Sequence, residues 1–392
     1  MQRTAVVWVV YTITHSAFML GLTIFAEQFP AFLLSVFGGI AADRYDRYKI
    51  IKITQILSMI QASLLAILMI TGHRVVWEIL ALSVMLGIIN AFDIPARQSM
   101  IHEVLYDKAD LPNALSLNSA MASLATLLGP ALSGIILEKF GAGVCFFINA
   151  ASFGGVILSL TFMKLPPFVP FQTKKRIVTE LVEGFSYLRK TPAIGSVIVV
   201  LGIVSILVLP YNTLLPVFAK VVFKGNAATF GYITGFIGLG AVGGTVVLAS
   251  LKESVNLKML WVKSIVVLGV GLIAFSHTSN FPIAMIFATV IGFGTVAQNT
   301  ICNIIVQSDS APHMRGRAIS IMLMAMFGML PLGSLIIGAV SQGIGAPATL
   351  LCQGIAGLVI AAFFLNLLRK HKLKNTKPEA LRGTEEMMLK NV

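Results

Sequence analysis

The stretch "FGGIAADRYDRYKI" (residues 37–50) decides the fold class, because it places five charged side chains between two long apolar runs. These charges are Asp43, Arg44, Asp46, Arg47 and Lys49. Each flanking run has about 20 residues, the length that a helix needs to cross about 30 Å of hydrocarbon. We therefore interpret the stretch as a short turn between two membrane-spanning helices.

Composition extends this interpretation to the whole chain. Of 392 residues, 57% are hydrophobic and only 11% are charged, whereas soluble domains carry about 25% charged residues. The apolar blocks lack the alternation of barrel strands, so we predict an all-α polytopic membrane protein. The three cysteines fall inside apolar blocks, and we expect neither a metal site nor a cofactor. We assign the net charge of +13 to loops rather than to nucleic-acid binding.

The apolar blocks predict two groups of six spans. The first group covers 4–14, 17–41, 50–70, 77–97, 113–137 and 144–163, and the second covers 193–218, 229–251, 259–276, 282–306, 318–342 and 347–368. The predicted domains are an N-terminal bundle (1–163), a linker with an amphipathic helix (164–191), a C-terminal bundle (192–368) and a basic tail (369–392). The first block is half a span long, so we expect the native reading frame to begin upstream; a partial helix is the alternative.

The distribution of Lys and Arg predicts the orientation in the membrane. If the turn at 43–49 is cytoplasmic, 24 of the 29 Lys and Arg residues lie on that side and Arg3 lies within a span. The outer loops then hold only Arg74, Lys139, Lys220 and Lys224. We expect a bacterial inner-membrane protein, monomeric, with the linker and the C-terminus in the cytoplasm. In the linker, Leu181, Val182, Phe185 and Leu188 share one helical face, which suits the membrane surface.

The two halves resemble each other when position 129 is aligned with position 333. "GPALSG" (129–134) then aligns with "GSLIIG" (333–338), and "FGGIAA" (37–42) falls near "VGGTVV" (242–247), one position out of step. A parallel repeat of six spans predicts two bundles around a pseudo-two-fold axis, as in transporters. "GLGAVG" (238–243) has the spacing of a nucleotide-binding motif but lies inside a span, where we expect glycines for close helix packing.

The spacing of Gly39, Asp43, Arg44 and Arg47 resembles motif A of the major facilitator superfamily, although Asp46 stands where that superfamily often has Gly. The resemblance implies two six-helix bundles and a cytoplasmic latch in which Asp43 and Arg44 contact the second bundle near "MRGRA" (314–318). A carboxylate is favourable at such a helix N-terminus.

Two further stretches strengthen this resemblance. "FDIPARQS" (92–99) and "MRGRA" are similar to the subgroup that contains enterobactin-type siderophore exporters and macrolide efflux pumps. "GPALSG" resembles motif C of drug–proton antiporters through Gly129, Pro130 and Gly134, with Ser133 in place of one glycine. The subgroup and motif C both imply export.

Charges within the spans indicate where coupling occurs, because an ionisable residue at this depth is functional by default. Of 16 acids, only Glu27 falls mid-span; Asp93 lies near a span end and is the next candidate. Arg3 and Glu27 lie about 16 and 15 Å from the outer ends of their helices, so we expect the two side chains to meet. An opposite charge favours the carboxylate and dry surroundings favour the neutral acid, so Glu27 would carry the proton and Arg3 would tune it. The alternatives are a structural Glu27 beside Pro30 and an unpaired Arg3.

Other polar and polarizable residues in the spans are candidates for lining a substrate cavity, although most are expected to bond between helices. They are Gln61, Asn90, Asn118, Asn149, Asn212, Gln298, Asn299, Asn303, Met322 and Met326. Flexible methionines suit varied apolar ligands, but filler that faces lipid is equally compatible with the pattern.

The function that these observations predict is efflux of a small amphipathic molecule, coupled to proton entry by alternating access. The partners are then the small-molecule substrate, protons and the lipid bilayer. The alternatives are a facilitator-type importer or lysolipid transporter of the same fold, and a non-transporting scaffold or receptor. An enzyme is disfavoured because the sequence has no nucleophile–base or metal constellation. The residues do not distinguish siderophore, macrolide, other drug and lysolipid as the substrate.

Overall fold

The computed structural model describes residues 1–104, 110–163, 177–250 and 255–389, and these residues are helical with short turns. The helices are α1 (Gln2–Thr14), α2 (Ala17–Arg44), α3 (Arg47–Ile70), α4 (Val76–Val104), α5 (Leu111–Phe162), α6 (Ile177–Lys190), α7 (Pro192–Leu207), α8 (Leu215–Val217), α9 (Ala227–Ala249), α10 (Leu257–His277), α11 (Phe281–Asp309), α12 (Arg315–Ile344) and α13 (Ala346–Leu389). Ten helical stretches of the described chain are long and apolar enough to cross a membrane. The predicted all-α membrane fold is confirmed.

Helix α5 contains two of the predicted spans. Its backbone breaks at Gly141, where φ is 81°, a value that favours glycine. The break separates a first arm (111–140) from a second arm (142–162). With the two arms counted separately and the short α1 included, the described chain has the twelve helical segments that the sequence predicts.

The crossing segments form two bundles. In the first, α2 packs on α4 and α3 packs on α5; in the second, α9 and α10 pack on α11, and α10 also packs on α13. The most extensive contacts between the bundles are those of α2 with α12 and of α5 with α9. We call the membrane face that carries the turn at 43–49 the basic face, and the face that carries the turn at 71–75 the opposite face.

Both junctions between the bundles place glycine on glycine. An ideal Cβ on Gly338 of α12 would lie 3.2 Å from Cα of Gly21 on α2. An ideal Cβ on Gly134 of α5 would lie 2.7 Å from Cα of Gly231 on α9. Backbones approach this closely only where a side chain is missing. The glycines of "GLGAVG" also pack against neighbouring helices, since Gly240 meets the backbone of Thr289.

The contacts correct part of the repeat alignment. The predicted register relates Gly134 to Gly338, and these two glycines occupy equivalent places at the two junctions. Their partners Gly21 and Gly231 lie farther apart in the sequence than Gly134 and Gly338 do. The two halves therefore align with a larger sequence offset in α2 and α9 than the predicted one. Inside the bundles, Gly87 meets the backbone of Glu27 and Gly292 meets that of Ile237, so the larger offset again relates α2 to α9, whereas α4 and α11 keep nearly the predicted offset. The glycine pairs at 37–42 and 242–247 are therefore not structural equivalents.

Three elements differ from the predicted spans. The span predicted at 193–218 begins as α7 but continues through a 3-10 segment (Leu209–Leu214), α8 and a π-helical turn (Phe218–Val222). Helix α4 extends to Val104, and α13 continues past residue 368 to Leu389. The continuation of α13 is rich in Lys, Leu and Glu. These residues are good helix formers, but Lys and Glu are polar and the Leu residues are scattered, so hydropathy predicts no span here.

The amphipathic linker helix α6 packs on α12 and α7. Its Leu188 is buried, whereas Val182 and Phe185 are exposed. The predicted apolar face is thus divided between a contact with the second bundle and an exposed strip. The side chain of Leu181 lies outside the described residues.

Candidate transport pathway and coupling site

The two bundles enclose a gap that opens at the basic face. Ten consecutive residues of α5, 117–126, are all exposed, and at the end of this stretch the backbone oxygen of Thr126 lies 3.1 Å from an ideal Cβ on Gly238 of α9. The contacts between bundles begin at the opposite face and reach as far as Phe32 of α2, whose ring lies against Gly328 of α12. Phe32 is 15 residues from the start of α2, about 22 Å along the helix. A molecule would therefore enter the gap from the basic face in this structure.

Arg3, Glu27 and Gln28 form a polar cluster between α1 and α2. Arg3 Nε lies 3.8 Å from Glu27 Oε2, and the Glu27 side chain is only 15% exposed. The amide oxygen of Gln28, turned toward Arg3, accepts a hydrogen bond from Nη1 at 3.0 Å. The side chains of Arg3 and Glu27 thus meet as their depths predicted.

Asp93 lies in a different environment, where donors surround its buried carboxylate. Oδ1 accepts hydrogen bonds from Thr54 Oγ1 at 2.7 Å and from Gln55 Nε2 at 2.9 Å. Oδ2 accepts from Arg97 Nη2 at 2.6 Å and from Nε at 3.2 Å. The donors Thr54 and Gln55 belong to α3, so the bonds to Asp93 join α3 to α4. This geometry suits a structural clamp better than a site that exchanges protons.

A chain of amides crosses the first bundle. Asn149 Nδ2 donates to Gln2 Oε1 at 2.6 Å, Gln2 Nε2 donates to Gln61 Oε1 at 2.6 Å, and Gln61 Nε2 donates to the backbone oxygen of Leu82 at 3.0 Å. Gln61 is completely buried. The structure therefore places Gln61 and Asn149 in bonds between helices rather than at the gap. Sequence analysis missed Gln2, which lies too near the first residue to stand out in a hydropathy pattern.

The remaining cavity candidates are distributed unevenly. Asn118 and Asn212 are exposed, whereas Asn90, Asn299, Asn303 and Met326 are half-buried and Gln298 and Met322 are buried. On α11, Gln298 Nε2 donates to Asn299 Oδ1 at 2.6 Å, and its own Oε1 has no hydrogen-bond partner among the described residues. Asn303 Oδ1 accepts from Gln307 Nε2 at 2.6 Å. Buried Gln298 and Met322 do not face the gap.

A row of phenylalanines on α2 was not among the sequence candidates. Phe25 and Phe29 stack with ring centroids 4.6 Å apart, and Phe29 lies 6.5 Å from Phe32. All three are half-buried, and Phe32 ends at the junction with α12. Their spacing of three and four residues places them on one side of the helix, but the same spacing is typical of an ordinary core face.

The segment that resembles motif A lies at the basic face without a contact to α12 among the bonds described. Asp43 Oδ1 lies 3.9 Å from Arg47 Nη2 of the next helix, and Arg47 Nε donates to the backbone oxygen of Ala42 at 2.8 Å. Arg44 is exposed. An ideal Cβ on Gly39 would meet no atom within 4 Å, whereas one on Gly38 would meet the backbone of Ala91. Gly38, not Gly39, permits the close packing of this helix end.

The "MRGRA" segment has another partner. Arg317 Nη1 lies 2.6 Å from Glu183 Oε2 of α6, and Tyr187 Oη accepts a hydrogen bond from the backbone N–H of Ala311 at 3.0 Å. The linker helix is therefore fastened to the second bundle beside the expected latch. Among the described residues, the bonds of Asp43 and of this segment go to other partners.

The stretch that resembles motif C forms part of the α5–α9 junction. Gly134 meets Ala227 and Gly231, and the backbone oxygen of Pro130 lies 2.9 Å from an ideal Cβ on Gly231. An ideal Cβ on Gly129 would meet nothing within 4 Å. The missing side chain is therefore needed at Gly134 and not at Gly129.

A separate pocket of about 310 Å³ lies within the first bundle, near the opposite face. Most of the residues that line it are apolar by type, among them Trp8, Met69 and Leu137, and Arg74 is the charged one. It does not lie between the bundles, so we do not place the transport pathway there.

Comparison with known proteins assigns this architecture to a family. The model of the family described as "Transmembrane secretion effector" matches residues 1–391. The chain is 28% identical over 373 residues to the staphyloferrin A transporter of Staphylococcus aureus, a match that covers 94% of this chain and 92% of the relative. It is 23% identical over 375 residues to the multidrug efflux pump Tap of Mycolicibacterium fortuitum (93% and 91% covered).

A third relative and the solved structures agree with that assignment. The enterobactin exporter EntS of Salmonella choleraesuis is 25% identical over 309 residues, which cover 78% of this chain and 72% of the relative. Among solved structures, a variant of the nucleoside transporter NupG superposes with a TM-score of 0.76 at 13% identity, covering 93% of this chain and 95% of that one. At this identity the likeness shows the fold alone.

Proposed function

Because the chain belongs to the transmembrane secretion effector family of the major facilitator superfamily, we propose that it exports a small amphipathic molecule by proton antiport. The substrate class is siderophore-like or drug-like, and the mechanism is alternating access. The proposal rests on the names of three similar proteins, a siderophore transporter, a multidrug efflux pump and a siderophore exporter. The protein itself acts as a monomer.

The orientation follows from the excess of Lys and Arg at the basic face, which makes that face cytoplasmic in a bacterial inner membrane. The linker and the C-terminus are then cytoplasmic as well. The gap beside residues 117–126 opens to the cytoplasm, which is the state in which an exporter takes up its substrate. The opposite face must open later to release it.

The observation that carries proton coupling is the pairing of Arg3 with Glu27 at 3.8 Å. The position in the second bundle that is equivalent to Glu27 is Ile237, so this acid has no counterpart there. Arg3 lies against this carboxylate in the present arrangement. A movement of α1 relative to α2 would separate the two side chains and favour uptake of a proton by Glu27.

Aromatic and amide side chains of the two bundles support an amphipathic substrate. The stacked rings of Phe25 and Phe29 offer apolar and aromatic surface on α2, while Asn118 and Asn212 offer exposed amides. Asn212 lies in the 3-10 segment that contacts both α2 and α12. Irregular backbone inside a transporter occurs where it lines a cavity. We propose that these aromatic and amide groups are contacts for the substrate during the transport cycle.

Transport into everted vesicles tests this proposal. Vesicles from a pump-deficient host expose the cytoplasmic face, so an exporter accumulates its substrate inside them when the lumen is acidified. A panel of catecholate and carboxylate siderophores, macrolides, other drugs and lysolipids is added with and without an uncoupler, and vesicles without the protein are the control. We expect uncoupler-sensitive accumulation of at least one compound class. Accumulation only in right-side-out vesicles would indicate an importer, and binding without transport would indicate a receptor.

A further inference from the structure

The opposite face is closed by hydrogen bonds that join the two bundles at helix N-termini. Gln342, near the end of α12, accepts through Oε1 a hydrogen bond from Ser16 Oγ at 2.8 Å and one from the backbone N–H of Phe18 at 3.3 Å. Ser16 is the N-cap of α2 and Phe18 lies in its first turn. A side chain of the second bundle therefore caps a helix of the first.

The second junction has the reverse arrangement. Glu138, near the end of the first arm of α5, accepts through Oε2 a hydrogen bond from the backbone N–H of Ala227 at 3.3 Å. Ala227 is the first residue of α9, and Asn226 is the N-cap of that helix. Here a side chain of the first bundle caps a helix of the second.

The internal repeat relates these two contacts, although the N–H that bonds belongs to the second residue of α2 and to the first residue of α9. The register that relates Gly134 to Gly338 also relates Glu138 to Gln342. The larger offset that relates Gly21 to Gly231 also relates the N-caps Ser16 and Asn226 of the same helices. The same device therefore occurs at both junctions, one helical turn beyond the glycine crossings.

Each helix start divides its free N–H groups between two acceptors. The first N–H groups of a helix have no partner inside it. Ser16 Oγ accepts from Met19 N at 3.3 Å and Asn226 Oδ1 accepts from Thr229 N at 3.1 Å, so each N-cap side chain satisfies the third residue. An earlier N–H is left for the other bundle. Separation of the bundles would return that N–H to water.

We propose that Glu138 and Gln342 form a paired latch that holds the opposite face closed while the gap is open at the basic face. This inference rests on the alternating-access part of the proposed function. Glu138 is the stronger half, because a carboxylate is also attracted by the positive end of the α9 dipole. Gln342 contributes two neutral bonds instead of one charged bond.

Distances between spin labels test the latch directly. Labels on exposed Thr71 and Ser279 report on the opposite face, in protein whose Cys145, Cys302 and Cys352 are replaced by Ala. Gln342→Ala should raise the ratio of long to short distances about threefold, the change expected for one net hydrogen bond of about 0.7 kcal/mol, and Glu138→Ala should raise it at least as much. The double variant should raise it about tenfold.

Labels on Lys49 and His313 report on the basic face, where the same variants should raise the population of short distances. Glu138→Gln keeps an acceptor and should restore most of the parent distribution of label distances. Lys139→Ala lies beside the latch on the same exposed helix end and should leave this distribution unchanged. Unchanged distances in both single variants would overturn the proposal. If the double variant does not fold, the single variants and the Glu138→Gln rescue still decide. Because these measurements in nanodiscs need neither substrate nor a gradient, failure of the proposed export would not affect them.

Discussion

Glu183 of the linker helix lies 2.6 Å from Arg317 of α12, so the linker holds an arginine of the segment that the motif A resemblance assigns to the cytoplasmic latch. Asp43, on the other side of the gap, lies 3.9 Å from Arg47 of its own bundle. Both sides of the expected latch therefore have other partners while the gap is open. Closure at the basic face would require an exchange of these partners.

Glu183→Gln should make that exchange easier, because it releases Arg317 from α6. Exposed ion pairs contribute up to about 1 kcal/mol, so the population with a closed basic face should rise no more than about fivefold. The measurement is the Lys49–His313 label distance. Asp309→Asn is the control, since it breaks an ion pair of 2.9 Å with Lys258 inside the second bundle. An equal shift in both variants would contradict a specific role of Glu183.

Asp43→Asn should act in the opposite direction. Loss of the charge should lower the population closed at the basic face and slow transport, while the amount of protein in the membrane stays the same. Cysteine accessibility from both sides and the transport rate are the measurements. Asp46→Asn is a matched control, because an asparagine can still accept the N-cap bond from Tyr48 N. Parent-like transport in Asp43→Asn would reduce the 37–50 stretch to an orientation-setting turn.

Glu27→Gln should retain substrate binding and lose transport driven by a pH gradient, because the amide cannot carry a proton. Binding and gradient-driven flux in proteoliposomes are compared for the variant and the parent protein. Glu78→Gln serves as the control, since Glu78 lies at the opposite face beside His73. Unchanged coupling in Glu27→Gln would remove the assignment.

Asp93→Asn should destabilise the first bundle rather than uncouple it. The amide nitrogen would face donors that now surround a carboxylate. We expect the free energy of unfolding to fall by about 1–3 kcal/mol. The measurement is the midpoint of thermal unfolding in detergent, which should be lower. Proton coupling should be preserved in the folded fraction. If instead the variant unfolds like the parent but loses its pH dependence, Asp93 is the proton carrier and Glu27 is not.

Gly134→Ala should open the opposite face, because its Cβ would lie within 3 Å of the α9 backbone at both Ala227 and Gly231. The Thr71–Ser279 label distance should lengthen. Gly129→Ala is the comparison within the same motif, since no atom lies within 4 Å of its Cβ and the distance should not change. Similar distances in both variants would mean that the junction adjusts to an extra methyl group.

Hydropathy and helix geometry sufficed to predict what depends on length and depth. The twelve segments follow from apolar blocks, and the Arg3–Glu27 pair follows from the constant rise of an α-helix along its axis. Neither hydropathy nor helix rise tells which side of a helix faces the gap. The buried Gln61 and Met322 could therefore not be distinguished from the exposed Asn118.

Contacts between bundles were also beyond the sequence. The caps by Glu138 and Gln342 depend on which helix ends meet, and no local pattern marks either residue. The repeat was recognised through α5 and α12 but misaligned in α2 and α9, because a G-G pair in each helix offered a false register. Spatial contacts, unlike paired glycines, fix the register at several points at once.

The glycine crossings have a consequence for the reversibility of the cycle. Gly21, Gly134, Gly231 and Gly338 have no side-chain rotamers to order when the two bundles come together. A contact of ordinary side chains loses up to about 2 kcal/mol of conformational entropy for each long residue that is fixed. Bare backbone forms and breaks its contact without that entropy change, and it needs no repacking between rotamers. The closed face can therefore be tight and yet separate with a low entropic barrier in every turnover.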